Sequence, residues 1–279
     1  MSLRRTFVVE PGSRVRLDAI DASDTGNHGS EDEAQATIAE DLARLTKLQY
    51  RLYAENERSL LIVLQAPDAG GKDGTVRHVF GALNPQGASV HAFKVPTAEE
   101  AAHDFLWRIH AATPGRGRIT IFNRSHYEDV LVTRVHHTVP KETIEKRFDR
   151  INEFEKNLVQ AGTLILKFYL HISPDEQLRR FEARLEGPRK QWKISDADYA
   201  ERAYWDDYRK AFEDALERTS TRRAPWFVIP ANHKWFRNLA VARIVTDALD
   251  DLGMKYPKPS VDLKEMQRKY HDAAAAAKS

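Results

Sequence analysis

With 279 residues, of which 42% are apolar and 30% charged, the chain can bury a substantial core, which excludes wholesale disorder and allows one large domain or two. No apolar run approaches the about 20 residues needed to span a bilayer, and the lack of cysteine excludes disulfides and thiolate chemistry. A net charge of +2 is too small to mark a general polyanion binder, so neither a membrane nor a nucleic-acid partner is expected.

The N-terminus carries Arg4 and Arg5 without an apolar segment behind them, so no secretion signal is read and a cytoplasmic protein is expected. Residues 1–30 read as a polar N-terminal extension, with DASDTGNHGS as a mobile connection. Ser30 and Glu33 form a capping-box pattern, and a helix follows to about Arg58 through Ile38, Leu42, Leu45, Leu48 and Leu52. LLIVL (60–64) is the continuous apolar run of a strand covered on both faces.

QAPDAGGKDGT (65–75) comes next, and a helix starting near Gly74 should carry Val76, Val79 and Phe80. The strand–helix rhythm continues with a strand at 89–95, a helix from Thr97 to His110, a strand at 118–122 and a helix from Lys141 to Ala161. TLILKFYLHI (163–172) is the most apolar strand, WFVIP (226–230) is the last, and a helix from Lys234 to Leu252 follows. This alternation predicts an α/β fold, three-layer α/β/α, with a parallel sheet between helices. Residues 174–224 break the rhythm with two helices and no strand, the second having a seam of Trp205, Tyr208, Phe212 and Leu216. They read as a lid inserted in a domain spanning 31–255. Residues 256–279 form a C-terminal tail, helical and fraying at its alanines.

Charge is zoned within that frame. Residues 179–193 hold six basic side chains against two acids, 196–217 hold eight acids against three bases, and 218–237 hold five bases and no acid. A positive face beside a negative one is expected.

The turn after LLIVL resembles G-x-x-x-x-G-K-[ST] with Ala66 for the first glycine and Asp73 for the hydroxyl residue. Backbone N–H groups at a helix start, with Lys72, suit an anion. The competing reading is a tight turn with a surface lysine; the flanking strand and helix favour the anion. Asp68 would repel phosphate unless a cation lies between them, which fits Mg²⁺ and its oxygen ligands, whereas an ordinary turn aspartate is the alternative. FNRSHYED (122–129) follows a strand, where ligands bind in open parallel sheets. Arg124 could neutralise a transferring phosphoryl group and Glu128 or Asp129 could hold metal; a cap of Ser125 with Glu128 is the plainer reading. His126, His136 and His137 lack zinc partners nearby and read as pocket edge or surface. Arg180 and Arg184 share a helix face, and Trp192 reads as an anchor to the core.

Taken together these motifs resemble the polyphosphate kinase 2 family over about residues 30–255. APDAGGKDGT is similar to its altered Walker A loop, FNRSHYEDVLVTRV to its Walker B region, RFEARLEGPRKQWKISDADYAERAYWDDY to its lid, and TSTRRAPWFVIPANHKW to its last strand and following helix. The resemblance implies a P-loop kinase-like core with a two-helix lid that moves phosphate between inorganic polyphosphate and nucleotides (AMP, ADP, ATP), with Mg²⁺, or Mn²⁺, as cofactor and a homo-oligomeric assembly. Residue by residue, it implies Asp68, Lys72, Arg124 and Arg184 as catalytic groups. Phosphate is expected on the loop Ala69, Gly70, Gly71, Lys72, Asp73, Gly74 and Thr75, and on Arg180, Lys190 and Lys193. Nucleotide is expected at Asn123, Arg124, His126 and Tyr127, and metal at Asp68 and Glu128.

Many members have aspartate where this chain has Asn123. NRSHYED is similar to the class III branch, implied to phosphorylate both nucleoside mono- and diphosphates. Two rivals stand beside this reading: a nucleoside monophosphate kinase using ATP, and a nucleic-acid-binding protein contacting backbone through the basic segments.

Overall fold

The computed structural model describes residues 2–277; Met1, of the expected extension, and the last two residues of the expected tail lie outside them. The chain begins with α1 (Leu3–Phe7), whose Leu3 and Phe7 are buried. Val8 then bridges Phe227 in antiparallel fashion, and Val9 N donates to Trp226 O at 2.9 Å. Leu3 and Phe7 pack in the core on one face of the sheet, and Val9, Val15 and Leu17 in the core on the other. The expected extension is therefore a clip around a sheet edge, which covers unpaired strand groups. Its few apolar residues lie among polar ones, so periodicity did not show it.

Ser30 Oγ accepts from Glu33 N at 3.3 Å and opens α2 (Glu31–Glu55), which ends at Asn56 in a left-handed conformation. Strand β1 (Ser59–Gln65) is buried throughout. Leu60, Ile62 and Leu64 join one core cluster, and Leu61 and Val63 the other, so its unbroken apolar run reflects cover on both faces. Then come α3 (Lys72–Thr75), two residues earlier than the expected start, a wide π-type turn at 76–80, and β2 (Ala88–Ala92).

The helix expected from Thr97 to His110 is two pieces, α4 (Ala98–Ala101) and α5 (Trp107–Ala111). Asp104 Oδ1 accepts from Leu106 N at 3.0 Å in the gap, a local bond that competes with helix continuation. Next are β3 (Ile119–Asn123), α6 (Glu128–Val135), α7 (Lys141–Gln160) and β4 (Thr163–His171).

The segment read as two helices holds three: α8 (Pro174–Leu185), α9 (Asp196–Arg202) and α10 (Trp205–Thr219), with a 3₁₀ turn at Gln191–Lys193. The seam of α10 lies in the body of the fold, since Ala211, Phe212, Ala215 and Leu216 are buried and the helix packs on α6 and α7. What meets the loop after β1 is α8, through Gln177 and Arg180, and the 3₁₀ turn, through Lys193. After β5 (Trp226–Pro230) and α11 (Lys234–Asp250) comes α12 (Leu263–Ala276), helical through its alanines and without a buried residue.

The five strands are all parallel in the order β2-β3-β1-β4-β5. The chain steps from β1 outward to one side, then crosses to β4 on the other, so the crevice at the carboxyl end of β1 is a topological switch point. On one face α2 and α11 are locked by a bifurcated bond, Arg243 Nε to both oxygens of buried Asp41 at 2.9 and 2.8 Å. Helices α5, α6, α7 and α10 cover the other face, which completes the expected three layers.

Candidate active site

The loop between β1 and α3 sits at that switch point. Gly71 has φ +107, a left-handed geometry that a side chain would strain, and a Cβ at Gly70 would lie 2.5 Å from Ala66 Cβ. Ala69 also adopts positive φ (+58). Thr75 is buried and its hydroxyl donates to Gly71 O at 3.2 Å, so it closes the turn. Lys72 Nζ donates to Ala66 O at 2.8 Å and Pro67 O at 3.4 Å. Burial, and then the positive charge of Arg124, push the Lys72 pKa down to about 8.

Arg124 completes the centre from the end of β3. Its N–H continues the ladder to Leu64 O at 3.1 Å, while φ +62 turns the chain out of the strand. Its guanidinium reaches Asp68 Oδ1 at 3.0 Å and Glu128 Oε2 at 3.6 Å. Burial works against the charge on Arg124, but Glu128 and Asp68 outweigh it and raise its pKa. Glu128, the first residue of α6, is raised chiefly by burial, against the pull of Arg124 and Lys72. The two sequence-predicted metal ligands therefore flank one arginine. Ser125 does not cap with Glu128: its Oγ accepts from Tyr127 N at 3.2 Å and from Gln65 Nε2 at 3.1 Å.

Asn123 Nδ2 donates to Asp73 Oδ1 at 2.8 Å, and Lys193 Nζ lies 3.6 Å from Asp73 Oδ2. Partial desolvation opposes the charge of the largely exposed Asp73, yet Asn123, Lys193 and Lys72 hold its carboxyl below the ordinary value. The lid residues divide. Arg180 Nε donates to Glu176 Oε1 at 2.7 Å, Nη1 to Ala69 O at 2.8 Å, and Nη2 to the carbonyls of Ala231 and Asn232. It is thus a strut for the loop, not the free phosphate ligand expected of it. Arg184 donates to Lys193 O at 3.3 Å and Asp198 Oδ1 at 3.4 Å, which ties α8 to the 3₁₀ turn and α9 while it borders the cavity below. Trp192, read as a core anchor, is 77% exposed; Lys193 Nζ stands 5.1 Å from its ring centroid.

His126 and Tyr127, expected at the nucleotide, are fully buried. Tyr127 Oη donates to Glu155 Oε1 at 2.8 Å, Lys167 Nζ pairs with Glu155 Oε2 at 2.6 Å, and His126 Nε2 is 3.4 Å from Glu155 Oε1. Burial first lowers the His126 pKa, against the pull of Glu155. Both belong to a polar knot under the sheet, out of reach of any ligand.

Two cavities meet at Asp68, Arg124, Val95 and Lys193. One, about 1450 Å³, is lined by Lys72, Arg77, Lys94, Arg184, Lys190 and Lys234. The other, about 1110 Å³, has an apolar wall of Leu17, Ile20, Val132, Trp205 and Phe212, with Glu128 at its edge. Sequence reasoning missed four contributors here. Leu17 and Ile20 come from the N-terminal clip; Gln177, one turn before the lid arginines, donates to Asp68 O at 2.9 Å; Arg237 lies beneath the loop. Only Arg237 had a signal, the acid-free run from 218 to 237.

A phosphate loop at the switch point of a parallel sheet, with a carboxylate–arginine centre between two cavities, defines a phosphotransferase of P-loop kinase-like fold. Residues 28–257 match the family described as Polyphosphate kinase 2 (PPK2). The chain is 49% identical over 256 residues to an AMP/ADP-polyphosphate phosphotransferase of Meiothermus ruber, covering 91% of this chain and 96% of the relative. It is 42% identical over 266 residues to an ADP-polyphosphate phosphotransferase of Rhodopseudomonas palustris, covering 91% and 92%. The crystal structure of Polyphosphate Kinase 2 from Arthrobacter aurescens TC1 superposes with a TM-score of 0.94 at 44% identity, covering 98% of this chain and 97% of that one. The chain belongs to the polyphosphate kinase 2 family.

Proposed function

We propose that this chain is a polyphosphate-dependent nucleotide kinase, which reversibly transfers the terminal phosphoryl group of inorganic polyphosphate to AMP and to ADP. The observation that carries the reading is the meeting of a basic cavity and a partly apolar one at Asp68 and Arg124. A long polyanion suits the first, and a base and ribose suit the second. The names of the Meiothermus ruber and Rhodopseudomonas palustris relatives support polyphosphate with AMP or ADP as the substrate pair.

In the forward reaction an oxygen of the acceptor's terminal phosphate attacks the last phosphorus of the donor chain. The bond from that phosphorus to its bridging oxygen breaks, and the shortened chain leaves carrying the electron pair. Lys72 and Arg124 hold the equatorial oxygens in transit, and Arg184 with Lys190 and Lys193 orders the donor behind them. Positioning and neutralisation are most of what such a transfer requires. Asp68 and Glu128 suit Mg²⁺ or Mn²⁺: among the described residues there is no cluster of three or more acidic or histidine ligands, and Mg²⁺ ordinarily takes one or two carboxylates with substrate oxygens and water. Bound there, the ion would screen the carboxylates from the phosphates. A homo-oligomer is carried as part of the proposal, supported by exposed Tyr50, Tyr53 and Tyr270, which a second copy could cover.

The test supplies AMP or ADP with a metal salt and either polyphosphate or ATP as donor. ATP formed from ADP and polyphosphate alone, and lost on chelation, is expected. Phosphorylation of AMP by ATP with no turnover of polyphosphate would replace this reading with an ATP-dependent kinase.

A further inference from the structure

The first turn of α11 holds a guanidinium without a counter-ion. Four cations are buried among the described residues: Arg108, Lys167, Arg180 and Arg237. Arg108 pairs with Glu100 at 3.5 Å, Lys167 with Glu155 at 2.6 Å and Arg180 with Glu176 at 2.7 Å. Arg237, 2% exposed, has no carboxylate partner among the described residues; its Nε and Nη2 donate to the neutral amide oxygen of Asn238 at 3.2 and 2.8 Å. Burial, then Arg180, push its pKa down to about 10, although an arginine ordinarily stays charged throughout the working range. Lys234, one turn earlier, is lowered by burial and then by Arg180 too. A buried charge held among like charges is costly unless something else neutralises it.

The guanidinium packs tightly against the loop and reaches the edge of the basic cavity. A Cβ on Gly71 would lie 2.1 Å from Arg237 Nη1, and one on Gly74 would lie 3.0 Å from Nη2. The guanidinium therefore presses on the backbone of the phosphate loop where α3 begins, and it borders the basic cavity beside Lys190 and Lys234. Its Nη1 makes no hydrogen bond among the described residues.

We propose that Arg237 is a binding residue for a phosphate of the donor chain, seated on the cavity side of the Gly71–Gly74 backbone, where Arg237 lines the basic cavity with Lys190 and Lys234. The ligand then provides the counter-charge that the protein withholds. This rests on the assignment of polyphosphate to the basic cavity, and it adds a phosphate position beyond the one transferred at Lys72 and Arg124.

The probe is tripolyphosphate, tested by calorimetry and thermal shift without nucleotide, alongside steady-state kinetics. Wild-type protein should bind it and melt higher in its presence. In Arg237→Met, affinity for tripolyphosphate and KM for polyphosphate should worsen tenfold or more, while KM for ADP stays within twofold. The unliganded variant should melt at or above the wild-type temperature, because an unpaired buried charge has gone. Arg237→Lys, which keeps the charge but not the planar fork, should show a smaller loss in the same direction, and it decides the matter where the Met variant fails to fold. Wild-type tripolyphosphate affinity in either folded variant would overturn the proposal and leave a prop for the glycine loop. A KM defect confined to ADP would overturn it in favour of a nucleotide phosphate. Failure of the wild-type protein to bind tripolyphosphate at all would overturn the polyphosphate reading itself.

Discussion

Asn123 donates its amide hydrogen to the Asp73 carboxylate across 2.8 Å, which joins the end of β3 to the first turn of α3. Each of these residues departs from a pattern: Asp73 stands where a phosphate loop has a hydroxyl, and Asn123 where many polyphosphate kinase 2 sequences have aspartate. Side by side the departures compensate, since two carboxylates at that distance would repel. The arrangement also leaves Asp73 free to meet Lys193 from the lid at 3.6 Å.

Asn123→Asp should therefore weaken lid closure and slow turnover several-fold above about pH 5, where both acids ionise, and the defect should shrink as pH falls. Asp73 is mostly solvent-exposed, so the stability change should stay within about 1 kcal/mol, a melting shift of about 2–4 °C at most. The double variant Asn123→Asp with Asp73→Asn should recover turnover. A pH-independent loss that the double variant fails to repair would mean the pair acts by shape alone.

Asp68→Asn, Lys72→Ala and Arg124→Ala should each lower kcat by about 10²–10⁴ while circular dichroism and melting report an intact fold. Arg124 offers an internal control because its φ is +62. Arg124→Gly should be the more stable of the two Arg124 variants, by about 1 kcal/mol from relief of left-handed strain, and equally inactive. Near-normal turnover in any of the three would remove that residue from the transfer step.

The pH profile should carry the signature of Lys72, whose pKa is about 8. In the proposed role the amine holds phosphate only when charged, so kcat/KM for polyphosphate should be level below that value and fall about tenfold per unit above it. The negative charge of Asp73 helps keep the amine protonated, so Asp73→Asn should move the falling limb to lower pH. A plateau persisting beyond about pH 9 would show that the amine does not titrate in the free enzyme as described.

Much of this was legible in the sequence, and the misses have physical causes. LLIVL announced a strand because both of its faces are buried; the glycines announced the loop because Gly71 needs a left-handed backbone, and Lys72 did so by its charge at a helix start. His126 and Tyr127 misled because a polar run at a strand's carboxyl end looks like a site, although the turn at Arg124 carries Ser125, His126 and Tyr127 together into the protein. The counter-signal lay 40 residues on: Lys167 is the one charged residue in TLILKFYLHI, and a lysine on a strand covered on both faces must find a buried acid. The N-terminal clip gave no such sign, since its apolar residues acquire meaning only from the β5 edge they cover.

That knot yields a stability prediction with no kinetic counterpart. Lys167→Met leaves Glu155 buried without its cation and should destabilise the fold by about 3–5 kcal/mol, whereas Tyr127→Phe removes one bond and should cost about 1–2 kcal/mol. Denaturant unfolding measures both. KM for ADP in Tyr127→Phe should match wild type within twofold; a tenfold rise would return Tyr127 to the nucleotide.

The two lid arginines should separate by what their variants lose. Arg180 is buried and donates to Glu176, to Ala69 O in the loop and to the backbone at 231–232, so Arg180→Ala leaves carbonyls and a carboxylate unmet. It should cost about 2–4 kcal/mol in unfolding free energy and impair binding of both substrates as the loop loosens. Arg184 holds the lid through weaker contacts at 3.3 and 3.4 Å and borders the basic cavity. Arg184→Ala should melt within about 3 °C of wild type, because contacts of 3.3 and 3.4 Å are weak, yet lose about 10–100-fold in kcat as the closed donor site loses a cation. Retained kcat in Arg184→Ala, with a loss in Lys193→Ala, would move the closing charge from α8 to the 3₁₀ turn that already touches Asp73.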